Sequence, residues 1–143
     1  MKYYDCFMYF DEDMVLDLRL NLLDKYVKKF VITESTYLHS GNKKKLNFDL
    51  KNFSKFKDKI EYIVIDTPPN DIRKINDEDD QNIKNSKMLD NSLKRENHQR
   101  NGLIKGLKSL DDDDLVLVSD VDEIPNLDNF KYKSKITMFV QKM

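Results

Sequence analysis

Leu115-Val116-Leu117-Val118-Ser119-Asp120-Val121-Asp122-Glu123-Ile124-Pro125 is the stretch that decides the fold. Four β-forming apolar residues in succession read as a short strand buried on both faces of a parallel or mixed sheet. Ser119 ends the apolar run. Asp120, Asp122 and Glu123 follow, with Val121 between the first two. Pro125 and Asn126 stop any regular continuation. Acids released at the carboxyl end of a buried strand lie where open α/β sheets bind ligands. Asp120 and Asp122 can share one hard cation. Mg²⁺ and Mn²⁺ take oxygen ligands, commonly one or two carboxylates, with substrate phosphates completing the shell. The stretch therefore reads as a metal–diphosphate site, against the plainer alternative of a solvated Asp-rich turn. It is not an EF-hand loop, because the Gly and the later Glu of that motif are absent. Nor does it fit a phosphatase-type D-x-D-x-T, since Ile124 stands where the Thr belongs.

Working outward, Lys2 to Phe10 reads as a first strand. Asp11-Glu12-Asp13 suit a helix N-terminus, where acids complement the dipole. Met14, Val15, Leu18, Leu22 and Tyr26 recur at helical spacing, which predicts a helix to about Tyr26 with that stripe toward the core. Phe30-Val31-Ile32-Thr33 is a second strand, ending in Glu34-Ser35. A β-α-β unit this short implies parallel strands. Ser35 to Leu46 reads as a loop carrying His39-Ser40-Gly41 and a solvated Lys43–Lys45 run. A lone His39 cannot make a metal site. Asn47 or Asp49 caps a short helix to about Lys57, with Leu50, Phe53 and Phe56 inward. Ile60 to Ile65 is a third strand, broken by Asp66-Thr67-Pro68-Pro69.

Asn70 to Ser92 is polar and mixed in charge, and reads as a mobile loop. Leu93 to Leu110 reads as a helix with an apolar stripe of Leu103, Ile104, Leu107 and Leu110. Stepping back along that stripe reaches Arg100, Gln99 and Glu96. The start of such a helix lies at the same sheet edge as the strand ends, so these polar groups face the crevice that receives Asp120 and Asp122. Arg100 is suited to a phosphate or to Glu96. Asp111 to Asp114 reads as a solvated turn. Leu127 to Tyr132 reads as a turn of helix and Ile136 to Val140 as the start of another strand.

The chain has 143 residues and a formal net charge of −1, one domain by length and no bulk electrostatic case for nucleic acid or an anionic membrane. The single cysteine, Cys6, excludes an internal disulfide and points to a reducing compartment. Its place in an apolar strand gives it a packing role. There is no apolar run long enough to span a bilayer and no leader-like N-terminus. These features place the chain as given in the cytoplasm.

Three ordered blocks carry a family resemblance. They are YDCFMYFDEDMVLDLRLNLLDKYVKKFVITES with the downstream HSG, then RENHQRNGL, then LVLVSDVDEIP. Together they resemble glycosyltransferase family 17, whose best-known members add bisecting N-acetylglucosamine to glycoprotein glycans. The resemblance spans nearly the whole chain outside Asn70 to Ser92. It implies a single GT-A-like α/β domain, a Rossmann-type nucleotide-sugar-binding sheet flanked by helices. It also implies UDP-GlcNAc as donor, Mn²⁺ or Mg²⁺ as cofactor, a glycan or glycoprotein acceptor, and inverting transfer. By the same resemblance, Asp122 ligates the metal, and Asp120 contacts the ribose or the metal through water. Phe10 and Glu34 match the region that holds uridine, and Arg100, Glu96 and Gln99 shape the diphosphate side. Family members continue well past the D-x-D, so the chain is expected to be truncated after that strand, with the acceptor half missing or supplied by a second chain. No general base is identified; Glu123 is nearest, but on the metal side. Two alternatives differ in class: a non-catalytic nucleotide-sugar-binding module, and a Mg²⁺-dependent phosphotransfer domain without preference for uridine.

Overall fold

A computed structural model describes residues 2–140. Its framework is a four-stranded sheet built from β1 (Tyr3–Met8), β2 (Val27–Ser35), β3 (Ile60–Ile65) and β4 (Leu115–Val118). The strand order is β3-β2-β1-β4, and every neighbouring pair is parallel. Helix α1 (Asp13–Leu23) links β1 to β2, and α2 (Gln81–Asn101) lies between β3 and β4. The chain builds outward from β1 through β2 to β3, then returns to the other side of β1 for β4. The gap between the carboxyl ends of β1 and β4 is thus the point where strand order reverses, the place where open parallel sheets form a ligand crevice.

The sheet has two unequal faces. Asp5, Phe7, Phe30, Ile32 and Leu117 point to the side covered by α1 and by a 3-10 turn over Leu50–Phe56. There they pack with Leu16, Leu20, Leu23, Phe53 and Phe56 in the main core. On the other face Tyr4, Cys6, Val31 and Leu103 form a smaller cluster. Burial pushes the Cys6 thiol up to about 12, consistent with packing rather than reactivity. A 3-10 turn over Gly102–Gly106 approaches β2 and β3 closely on this side. A Cβ on Gly102 would meet Ile65 Cδ1 at 2.4 Å, and one on Gly106 would meet Val31 Cγ1 at 2.4 Å.

Several expectations change. The inward face of α1 is Leu16, Arg19, Leu20 and Leu23. Met14, placed in the predicted stripe, is 86 % exposed, and Leu18 and Leu22 are exposed as well. The predicted stripe followed apolar side chains alone, whereas the buried face is centred on a charge, Arg19, that has a partner in the sheet. The helix also ends at Leu23 rather than Tyr26. Strand β4 is not buried on both faces. It is an edge strand, with Val116 38 % and Val118 57 % exposed, because the turn after α2 covers β2 and β3 and leaves β4 open.

The segment read as a mobile loop, Asn70 to Ser92, is irregular through Asp80 and helical from Gln81 onward. Asp80 caps α2, its side chain accepting from Ile83 N at 2.9 Å. The helix is polar because only Asn91 and Gln99 of its residues are buried. Its partners are hydrogen bonds: Asn91 Oδ1 accepts from Arg73 N and Asn91 Nδ2 donates to Arg73 O, both at 2.8 Å. The helix stops at Asn101, and Ile104, assigned to an apolar stripe, is 72 % exposed. Of the capping candidates, Asp49 accepts from Lys51 N at 2.9 Å, and Leu50 faces solvent. Asp114, in the Asp111–Asp114 turn read as solvated, has a nearly buried side chain that accepts from Lys2 N at 2.9 Å. Residues 127–132 form an irregular turn and 136–140 form no strand; Ile136, Met138 and Val140 are exposed.

Candidate functional site

The D-x-D loop is held from below by one residue. Arg19, fully buried, forms a two-pronged ion pair with Asp5: Nε donates to Oδ2 at 2.8 Å and Nη2 to Oδ1 at 2.7 Å. The rest of its guanidinium reaches the loop after β4. Nη1 donates to the carbonyls of Asp120 at 2.7 Å, Val121 at 3.1 Å and Glu123 at 3.2 Å. Nη2 also donates to Ser119 Oγ at 2.7 Å, and that hydroxyl in turn donates to Glu123 O at 3.0 Å. Asp5 offsets the charge in the core, and the fork geometry of Arg fixes several acceptors at once. Val121 is buried in the main core, so Asp120 and Asp122 on either side turn outward. Glu123 closes the loop on itself, its carboxylate accepting from Asp120 N at 3.1 Å.

Above this loop is a cavity of about 570 Å³ at the carboxyl ends of the strands. Met8, Tyr9 and Phe10 extend β1 into it, Asp120 and Asp122 line one side, and Glu96 and Gln99 of α2 line another. The loop after β2 supplies His39 and Lys44. Phe10 is fixed through its backbone: its N–H donates to Glu12 Oε2 at 2.9 Å, and its carbonyl accepts from Asn47 Nδ2 at 2.7 Å. Lys44 Nζ lies 5.4 Å from the centre of the Phe10 ring.

Phe10, Glu96, Gln99, Asp120 and Asp122 are thus brought together around one space, as expected from their order in the chain. Arg100 stands behind them as a bridge, its Nη2 donating to Glu96 Oε1 at 2.9 Å and to Asp120 Oδ1 at 3.4 Å. Its Nε has no partner among the described residues. Glu34 does not reach the cavity. It is completely buried, and its carboxylate accepts from Lys44 Nζ, Asn47 N, Phe48 N and Tyr62 Oη. Burial and this carboxylate push the Tyr62 phenol well above its ordinary pKa, so it stays a donor. Tyr9 is raised by burial and by its hydrogen bond to Asp13. With all its neighbours donating to it, Glu34 shapes the loop instead of touching a ligand.

Among the described residues no three His, Cys, Asp or Glu side chains converge on a point that could hold a metal. Asp120 and Asp122 nevertheless fit a hard divalent cation that takes most of its oxygens from a ligand and water, the usual Mg²⁺ arrangement. They do not form an all-protein cage. His39, Lys44, Arg19 and Asp5 went unread as site residues. The last two carried a signal in the sequence: one acid inside an apolar strand, and one base in the run Leu16, Arg19, Leu20, Leu23.

A model of the family described as Glycosyltransferase family 17 matches residues 1–137. The chain belongs to glycosyltransferase family 17. No curated protein and no solved structure matches it. Family membership makes a sugar donor and an acceptor the partner classes of the chain, and the parallel Rossmann-like sheet is consistent with a glycosyltransferase. No helix among the described residues is long and apolar enough to cross a membrane.

Proposed function

We propose that this family 17 protein has a GT-A-type donor site. It binds UDP-GlcNAc with Mn²⁺ or Mg²⁺ and transfers N-acetylglucosamine, with inversion, to a glycan or glycoprotein acceptor. The observation that carries this is the placement of Asp120 and Asp122. They leave β4 at the reversal of strand order, face the cavity, and sit on a loop whose backbone is pinned by Arg19. Asp122, which makes no side-chain hydrogen bond among the described residues, holds the cation. Asp120 contacts the ribose, or the cation through water. The cation, when bound, neutralises charge developing on the UDP leaving group. Phe10 borders the uridine, and Arg100, bridging Glu96 and Asp120, contributes its cationic charge on the diphosphate side. Glu96 and Gln99 orient neighbours instead of the donor: Glu96 holds Arg100, and Gln99 holds His39.

Thermal unfolding tests this with Mn²⁺ alone, UDP alone, and UDP-GlcNAc with Mn²⁺, on wild type and Asp122→Asn. Ligand at about a hundred times its Kd stabilises by roughly 2.7 kcal/mol, a rise of several degrees for a domain of this size. A rise that needs the metal and vanishes in Asp122→Asn supports the donor site. No shift in wild type with any of these ligands rules it out. Stabilisation by Mg²⁺ with any phosphate, without preference for uridine, would favour a phosphotransfer domain.

A further inference from the structure

We propose that His39 is the proton acceptor in the transfer step and that Gln99 holds it in the required tautomer; this rests on the donor-site reading above. Gln99 is buried, and its Nε2 donates to the main-chain carbonyl of Thr33 at 3.1 Å. A carbonyl can only accept, so the amide orientation is fixed. Its Oε1 then faces His39 Nε2 at 3.2 Å, and an amide oxygen can only accept as well. Nε2 must therefore carry a proton. In the neutral ring this leaves Nδ1 with a free lone pair, and among the described residues Nδ1 has no hydrogen-bond partner.

The backbone of His39 is held too. Its carbonyl accepts from Arg95 Nη1 at 2.9 Å, and Gly41 turns the chain just beyond with φ 99°. A Cβ on Gly41 would meet Arg95 Nη2 at 2.7 Å, so the turn and the arginine fit only with glycine there.

Several other ionisable groups of the cavity have partners: Glu12 Oε2 accepts two backbone N–H groups, Lys44 is paired with Glu34, and Arg100 donates to one oxygen each of Glu96 and Asp120. His39 and the two acids of the D-x-D stand on loops that follow different strands. With Asp120 and Asp122 given to the donor and its cation, His39 is the cavity group whose free lone pair is set by a buried partner. The charges around its ring are Lys44 on its own loop, Arg95 and Glu96 on α2, Glu12 before α1, and Asp120 and Asp122 after β4.

In the step, the acceptor hydroxyl gives its proton to His39 Nδ1 as its oxygen bonds to the anomeric carbon. The bond from that carbon to the diphosphate oxygen breaks, and its electron pair leaves with UDP. The imidazolium then returns the proton to solvent. Water can take the acceptor's place, giving slow hydrolysis of the donor.

Two measurements test this. The chain has 2 histidines, so ring ¹⁵N spectra assign readily with His39→Gln as the reference. Neutral His39 is expected as the Nε2–H tautomer in the free protein, with the preference lost in Gln99→Leu. UDP release from UDP-GlcNAc with Mn²⁺, with water as acceptor, should rise with pH and then level, because only the unprotonated ring accepts. His39→Gln should lower kcat by about 10²–10⁴-fold, abolish that rise, and keep the UDP–Mn²⁺ thermal shift. An Nδ1–H tautomer, an unchanged pH profile or kcat in His39→Gln, or no UDP release by a wild type that binds donor would each overturn the proposal. Failure of the donor-site reading is separate: wild type would then show no UDP–Mn²⁺ shift.

Discussion

Two fully buried charges flank the cavity from beneath, and they hold its two sides by opposite means. Arg19, under the loop after β4, is a donor and collects main-chain carbonyls. Glu34, under the loop after β2, is an acceptor and collects main-chain N–H groups of Asn47 and Phe48. Their neutralising partners differ. Asp5 is as deeply buried as Arg19, whereas Lys44, the partner of Glu34, keeps a little solvent contact. The difference predicts how each side fails. On the β4 side there is no way for water to reach a charge left alone; on the β2 side there is.

Breaking the comparison at Arg19 should have the largest effect. Arg19→Met leaves Asp5 buried without a counter-charge, and unfolding in urea should show a loss of about 3–5 kcal/mol. Asp5→Leu combined with Arg19→Met removes both charges and should recover most of that loss. The double variant should still lack the Mn²⁺-dependent shift with UDP-GlcNAc, because the carbonyls of the D-x-D loop are no longer gathered. Recovery of both stability and the shift would show that the clasp does not set the loop. Glu34→Gln comes next. It keeps the shape but weakens charge-assisted bonds, so a loss of about 2 kcal/mol is expected. Limited proteolysis should then cut faster within residues 36–48. A loss as large as that of Arg19→Met would mean that the solvent contact of Lys44 does not matter. The smallest effect belongs to Asp122→Asn. Its side chain is exposed, so stability without ligand should stay within about 0.5 kcal/mol of wild type, and a larger loss would assign Asp122 a structural role.

The strands and the D-x-D loop were legible in the sequence for a simple reason. Ile60–Ile65 and Leu115–Val118 are dense runs of β-formers bounded by breakers, and they form strands over those residues. The acids after β4 could be placed because the end of a parallel strand has a defined position in the sheet. What the sequence concealed was charge in the interior. The face of α1 was misassigned because Arg19 counts as surface until Asp5 is known to lie opposite, 14 positions away in sequence. Helix α2 was half missed because its first turns are held by a cap and by Asn91 rather than by apolar packing. Glu34 ends β2 and so was expected at the ligand, but its alternation in the strand turns it toward the main core and the Asn47–Phe48 backbone. The Gln99–His39 pair joins groups 60 positions apart, which no local pattern reports.

Arg19 grips the loop after β4 through carbonyl oxygens and one serine hydroxyl, never through the acids themselves. Shape and chemistry are therefore encoded in different atoms of the same few residues. Asp122, whose side chain takes no part in that grip, can be exchanged while the scaffold that presents it stays put, so the chemistry of this position is open to redesign, or to evolutionary drift, without a new fold having to be found.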